Sequence, residues 1–330
     1  MISKDLPNTN KIKRIGILTS GGDAPGMNPA IRALVRAGIN SGLEVFGIKD
    51  GYLGMHQNRI QKLDKDFVSD IIYRGGTILG TSRFTAFEEE SVRLEAISNL
   101  KEHQIDAVVI IGGDGSYMGA HKLSKQGMPC IGVPSTIDND VHGTDYTIGF
   151  DTAFNTVVEC FDRMRDTSSA HKRISVIEVM GRYCGDLTMY SSVASGSDFV
   201  IVPEREFDKQ SLFDQLSKSF SLGKRHGLVA VCEHTVNPET LSQEIETATG
   251  IESRAVSLGH LQRGGKPSAQ DRLLGSRLGA YAIDLLLEGK INRCVGIVGN
   301  KLVDYDIEDC ITKQVHNQSV EIADLTSRIA

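Results

Sequence analysis

The feature that most constrains this chain is a repeated alternation. Short runs rich in Val, Ile and Leu are each followed by a loop and then by helix-length amphipathic spacing. Apolar runs of this kind suit parallel strands covered by helices on both faces, because parallel neighbours can be joined only by a crossover long enough to hold a helix. The runs fall at 14–18, 44–48, 106–111, 130–133, 174–179, 199–202, 228–232, 256–258 and 295–298. The clearest helical spacings are 92–103, 153–165, 210–222 and 272–287, the last followed by Gly289 where a cap glycine fits. The fold class is therefore α/β. At 330 residues the chain exceeds the size at which one core usually stops growing, and both halves repeat the same grammar, so two similar α/β units are expected.

Composition narrows the function classes. A net charge of -6 argues against non-specific nucleic-acid binding, which needs a surplus of Lys and Arg over the phosphate backbone. The N-terminal stretch has no apolar core of a secretion signal, and no later run approaches about eighteen apolar residues, so neither export nor a membrane partner is expected. Six cysteines are scattered singly without a C-x-x-C pair, which reads as reduced thiols and a cytoplasmic protein.

In open α/β sheets, ligands bind beyond the carboxyl ends of strands, so the loops directly after strands come first. After the first run stands Thr19-Ser20-Gly21-Gly22-Asp23-Ala24-Pro25-Gly26-Met27-Asn28, with a helix expected from near Pro29. Paired glycines let backbone approach a bulky anion, and the helix behind offers unpaired N–H groups. A tight turn without a ligand fits the same residues. The second loop, Gly112-Gly113-Asp114-Gly115-Ser116, leads into a helix expected over 117–124. A carboxylate beside a polyphosphate repels it unless a divalent cation lies between, so Asp114 points to Mg²⁺ carried with a nucleotide. The spacing Gly113-x-Gly115-x-x-x-Gly119 also resembles NADP-binding loops, but nothing in the chain is suited to hydride transfer, and the Walker A pattern is absent.

The sharpest local feature is Pro134-Ser135-Thr136-Ile137-Asp138-Asn139-Asp140. If the segment is extended, Thr136, Asp138 and Asp140 share one face, and crowded carboxylates need a metal or a substrate donor between them. A solvent-facing Asn/Asp turn is the plainer alternative. An acidic protein that binds several phosphates must gather local cations, and Arg83, Arg173, Arg182, Arg254, His260 and Arg263 stand in loops or at strand starts.

Taken together and in order, TSGGDAPGMN, GGTILGTSRF, IGGDGS, PSTIDND, EVMGRYCG and LGHLQRGG resemble the bacterial 6-phosphofructokinase family over about residues 13 to 300. The resemblance implies two three-layer, doubly wound domains with largely parallel sheets. The larger, ATP-binding one would comprise 13–149 plus 261–311, and the smaller, fructose 6-phosphate-binding one 150–260 plus 312–330, after an N-terminal extension of 1–12. It also implies a glycolytic kinase that phosphorylates the 1-hydroxyl of fructose 6-phosphate from ATP, in a homotetramer. ATP would meet Gly21, Arg83, Phe84, Gly113, Asp114, Gly115 and Ser116, with Asp114 on Mg²⁺. The sugar phosphate would meet Thr136, Ile137, Asp138, Met180, Gly181, Arg182, Glu233, His260, Leu261, Gln262 and Arg263, with Arg173 and Arg254 arriving from a neighbouring subunit. Asp138 would be the general base, assisted by Thr136, Arg83 and Arg182.

Two positions bear on the donor. Ser135 stands where ATP users of the family usually carry glycine and pyrophosphate users lysine, and Gly115 stands where pyrophosphate users carry aspartate. Both favour ATP. A pyrophosphate-dependent enzyme and a non-catalytic sugar-phosphate sensor are the alternatives. The family's effector site for ADP or phosphoenolpyruvate maps onto Arg32, Arg36, Lys65, Asp70, Arg165, Gly196, Asp198, Leu222, Lys224 and Arg225. Here Leu222 replaces a basic residue and Asp198 shortens a glutamate, so an altered allosteric response is expected.

Overall fold

The computed structural model describes residues 12–313 and 320–329; the expected extension therefore lies outside the described residues except for Ile12. Its strands are β1 (Arg14–Thr19), β2 (Glu44–Ile48), β3 (Ile60–Leu63), β4 (Ala107–Gly112), β5 (Cys130–Thr136), β6 (Ile148–Gly149), β7 (Ile174–Val179), β8 (Phe199–Ile201), β9 (Gly227–Cys232), β10 (Ser253–Ser257), β11 (Arg293–Val298) and β12 (Lys301–Asp306). Its helices are α1 (Met27–Asn40), α2 (Gly51–His56), α3 (Glu90–Glu102), α4 (Asp114–Lys125), α5 (Phe150–His171), α6 (Asp186–Ser195), α7 (Lys209–Ser221), α8 (Pro238–Thr249), α9 (Ala269–Leu287), α10 (Ile307–Thr312) and α11 (Val320–Ile329). Among the described residues no helix is long and apolar enough to cross a membrane.

The chain forms two compact units. In described residues the first holds 12–136, 140–149 and 263–313, and the second 137–139, 150–262 and 320–329. Three stretches therefore sit differently from the expected boundaries. Residues 261–262 go with the second unit because the Gln262 side chain accepts from the Met180 N–H at 3.1 Å. Residues 137–139 go there too, with Asn139 donating to Asp186 at 3.0 Å. Thr312 and Lys313 stay with the first, because Thr312 closes α10 and bonds back to Glu308 O at 2.7 Å.

The first unit is built on a sheet ordered β12-β11-β5-β4-β1-β2-β3, with β6 beside β5. Its centre is parallel and its two ends, β2 with β3 and β11 with β12, are antiparallel. Every residue of β4 is buried, as a strand covered on both faces requires. Leu18, Ile48, Ile110, Tyr117 and Leu123 anchor the core on one side of this sheet. From β1 the chain crosses to β2 on one side, whereas β4 leads to β5 on the other. The sheet's switch in direction therefore lies between β1 and β4, the place where open α/β sheets bind ligands beyond their strand ends.

The second unit carries an all-parallel sheet ordered β10-β7-β9-β8. Its core joins Ile174, Val176, Val229 and Val231 to Leu212 and Leu216 of α7 and to Leu241 and Ile245 of α8. The strand expected at 256–258 begins earlier, at Ser253. It is the edge strand, half exposed, and its place is set by pairing Ser253 with Ile174 rather than by an apolar run.

Candidate active site

On the first unit, the residues expected to meet the nucleotide lie in loops at the strand ends. In-register pairing of Thr19 with Ile111 brings the ends of β1 and β4 side by side, and Ser20 N donates to Ile111 O at 3.0 Å. The Gly21 loop and the Gly113 loop thus leave the sheet together. The Ser116 hydroxyl lies 3.2 Å from where a Cβ on Gly21 would stand, and Thr136 Cβ lies 3.6 Å from that of Gly113. Thr81 adds the third loop by donating to Gly21 O at 2.7 Å. Gly113 is the N-cap of α4 and Asp114 its first residue. The Asp114 carboxylate accepts from Gly115 N at 2.6 Å and is exposed. Arg83 is exposed, while Phe84 stacks on His56 with ring centroids 5.5 Å apart.

Arg263 belongs to this unit too. Its guanidinium donates to Asp23 O at 3.2 Å and lies against the bare Cα of Gly22, where a Cβ would collide with it. Sequence reasoning picked out the Gly21-Gly22 pair and Arg263 separately but missed that Gly22 lies against Arg263. No local signal marks a contact between positions 241 apart in sequence.

On the second unit, the residues expected to meet the sugar phosphate gather at the ends of β7 and β9. Glu233, at the end of β9, accepts with one oxygen from both Gly181 N at 3.1 Å and Arg182 N at 2.8 Å. This pins the Met180–Arg182 turn, in which Arg182 adopts φ 59 and is exposed. Gly181 is required sterically, since a Cβ there would strike the Cys184 carbonyl. Gln262 is fully buried, its amide spanning Met180 N and Gly259 O. It therefore supports the turn and does not present itself to a ligand. His260 and Leu261 are exposed on the adjacent 3-10 turn. Burial pushes the neighbouring Cys232 thiol up to about 12, which makes it a poor nucleophile.

Asp138 is a buried carboxylate, 5 % exposed, and Ile137 is fully buried, so only the Ile137 backbone can meet a ligand. The extended geometry expected for PSTIDND fails past Thr136. β5 ends there, residues 137 and 138 form a bend, and Asn139 takes φ 56. The alternation that would have set Asp138 and Asp140 on one face is broken by that left-handed residue. Elsewhere on the second unit, Arg173 and Arg254 come together through a shared ion-pair partner, Glu252, at 3.2 and 2.6 Å.

The expected effector residues form one group on each unit. On the first, Arg36 donates to Lys65 O at 3.4 Å; the Nε atoms of Arg32 and Arg36 are buried without hydrogen-bond partners, and Asp70 is exposed. On the second, the Arg165 guanidinium lies 3.8 Å from the Cβ position of Gly196, and buried Asp198 pairs with Lys224 and accepts from Leu228 N at 2.8 Å. Leu222 is 78 % exposed, and Arg225 is exposed as well. Both carboxylate oxygens of Asp198 are thus engaged internally, so this shortened side chain is a poor candidate for the effector contact expected of it. Among the described residues no cluster of three or more His, Cys, Asp or Glu side chains could hold a metal ion.

A family model described as Phosphofructokinase matches residues 14–286. A curated ATP-dependent 6-phosphofructokinase of Tolumonas auensis is 59 % identical over 315 residues, covering 96 % of this chain and 98 % of that one. Another, of Serratia proteamaculans, is 58 % identical over 300 residues, covering 91 % and 94 %. Among solved structures, phosphofructokinase from Saccharomyces cerevisiae aligns with a TM-score of 0.86 at 32 % identity; it covers 96 % of this chain, which spans only 48 % of the yeast chain. A pyrophosphate-dependent phosphofructokinase from Marinobacter aquaeolei has a TM-score of 0.81 at 18 % identity, covering 96 % and 91 %, a likeness of fold alone.

Proposed function

The chain belongs to the phosphofructokinase family, and from that premise we propose that it is an ATP-dependent 6-phosphofructokinase. It transfers the γ-phosphoryl group of ATP to the 1-hydroxyl of fructose 6-phosphate, yielding fructose 1,6-bisphosphate and ADP. The observation that carries this reading is the pair of glycine loops leaving adjacent strands β1 and β4 at the switch point of the first sheet. Their backbone N–H groups and the N-terminus of α4 suit the phosphates of a nucleotide. Nothing lies within 4 Å of the Cβ position of Gly115. That open space supports ATP as donor, since an aspartate there would fill it.

Asp114 offers an exposed, hard carboxylate between two glycines at the start of α4, which fits a divalent cation held jointly with phosphate oxygens, and Mg²⁺ is the ion proposed. Bound with ATP, it would supply charge neutralisation on the phosphates. Asp138 takes the proton of the sugar 1-hydroxyl as that oxygen bonds to the γ-phosphorus and the bond to the β–γ bridging oxygen breaks. Thr136, Arg83 and Arg182 stabilise the charge on the moving group. Glu233 holds the Met180–Arg182 turn toward the sugar phosphate, with His260 and Arg263 beside it. Arg173 and Arg254 take the 6-phosphate from a neighbouring copy in a homotetramer. A cytoplasmic location accords with six free thiols, and ADP or phosphoenolpyruvate is the proposed effector.

A coupled assay of fructose 1,6-bisphosphate formation with Mg-ATP against Mg-pyrophosphate tests the reading. Turnover with ATP alone is expected. Turnover with pyrophosphate alone would overturn the donor assignment, and inactivity with both would favour a sensor.

A further inference from the structure

We propose that Glu252 is a positioning residue for the sugar-phosphate site, setting the guanidinium groups of Arg173 and Arg254 so that both can take one phosphate. The proposal rests on the reading that these two arginines hold the 6-phosphate, and no sequence motif singles out Glu252.

The juxtaposition follows from sheet register. β10 runs parallel to β7 with Ser253 opposite Ile174 and Arg254 opposite Ser175, so Glu252 falls opposite Arg173, one step upstream. Ile174 N donates to Glu252 O at 2.9 Å and fixes that level. Side chains two apart on a strand share a face, which puts Arg254 on the same side as Glu252. The result is one carboxylate oxygen facing two cations: Glu252 Oε1 lies 2.6 Å from Arg254 Nη2 and 3.2 Å from Arg173 Nη2.

Two guanidinium groups brought together without an anion repel each other, and each would swing toward solvent. The shared carboxylate removes that penalty before any substrate arrives. Each arginine has five N–H donors in a fixed fork, and the contact with Glu252 is made through Nη2 of each. Arg254 has further ties, donating to Ser253 O at 2.8 Å and reaching Glu246 at 3.5 Å. Arg173 depends more on Glu252, since its Nε is buried without a hydrogen-bond partner.

A purely stabilising role is the competing account. Glu252 and Arg254 are 39 % and 55 % exposed at their side chains, and ion pairs that open to solvent contribute little to folding. Loss of Glu252 should therefore show in substrate binding and leave the fold alone.

The test is steady-state kinetics on Glu252→Ala, Glu252→Gln and Arg254→Ala, varying fructose 6-phosphate and ATP separately. Removing pairs of this strength is expected to raise the KM for fructose 6-phosphate about fivefold in Glu252→Ala. The KM for ATP, kcat and the melting temperature should stay near wild type. Glu252→Gln, which keeps a neutral acceptor oxygen, should fall between. If Arg254→Ala raises the KM for fructose 6-phosphate but Glu252→Ala does not, or lowers it, Glu252 does not position the pair. Equal rises for both substrates would also overturn the proposal, as general destabilisation. If Arg254→Ala itself leaves the KM for fructose 6-phosphate unchanged, the 6-phosphate assignment fails and takes this inference with it.

Discussion

Replacing Gly22 by alanine should damage sugar-phosphate binding while leaving the fold intact. The added Cβ would stand 3.0 Å from Arg263 Cζ and 3.3 Å from its Nη2, and closer still to Nη1. Gly22 is exposed and is absent from the positive-φ glycines, so alanine meets no backbone strain. The obstructed atoms are the far end of a flexible side chain, which moves at little energetic cost. The stability change should therefore stay within about 1 kcal/mol, with reduced freedom of the unfolded chain offsetting some of the disturbance. What is lost is the seat of Arg263, including its 3.2 Å bond to Asp23 O. The displaced guanidinium would also lose its proposed hydrogen bond to the sugar phosphate; such a bond to a charged group is worth about 1.5–3 kcal/mol, so the KM for fructose 6-phosphate should rise about 10- to 100-fold. Comparison with Arg263→Ala and the double variant closes the argument. If the methyl acts through Arg263, the double variant is no worse than Arg263→Ala alone. Additive effects, or a KM that rises for ATP and not for the sugar phosphate, would refute this chain of reasoning.

Two further outcomes are expected. Asp138→Asn keeps the shape of a buried side chain but removes the proton acceptor; kcat should fall about 10²- to 10⁴-fold with both KM values little changed, and near-normal turnover in the coupled assay would exclude Asp138 as the base. His226 has its pKa lowered below the ordinary 6.5, first by burial and then by Lys224 and Arg165, with Asp198 opposing. A histidine whose folded pKa lies below its unfolded one binds its proton more readily when unfolded, so stability falls as pH drops below 6.5. Denaturant melts between pH 7.5 and 5.5 should show a shallower fall for His226→Gln than for wild type, and parallel curves would mean that His226 does not contribute.

The elements that could be read from sequence are those whose burial pattern follows their own geometry. β4 is apolar at every position because both faces are covered, and a strand of that kind announces itself. β3 and β12 do not: Ile60–Leu63 exposes its two central residues and Lys301–Asp306 has no fully buried residue, since each is an antiparallel edge of the first sheet. α8 escaped for a different reason. Its signals were present, with the Asn237 side chain accepting from Thr240 N at 2.8 Å, Pro238 opening the helix and Gly250 closing it in a left-handed conformation, but its apolar stripe is only Leu241 and Ile245. The candidate site divides along the same line. Gly21, Gly113, Asp114, Thr136 and Asp138 belong to short segments that follow strands, and such segments carry their chemistry in consecutive letters. Gly22 against Arg263 and Glu252 between Arg173 and Arg254 exist only through tertiary packing or strand register. Motifs thus expose the groups proposed to touch a ligand, whereas the groups that hold those in place become visible only once the sheets are paired. For that reason the most informative variants on this chain are at Glu252, which no motif marks for function, and at Gly22, whose contact with Arg263 no motif shows.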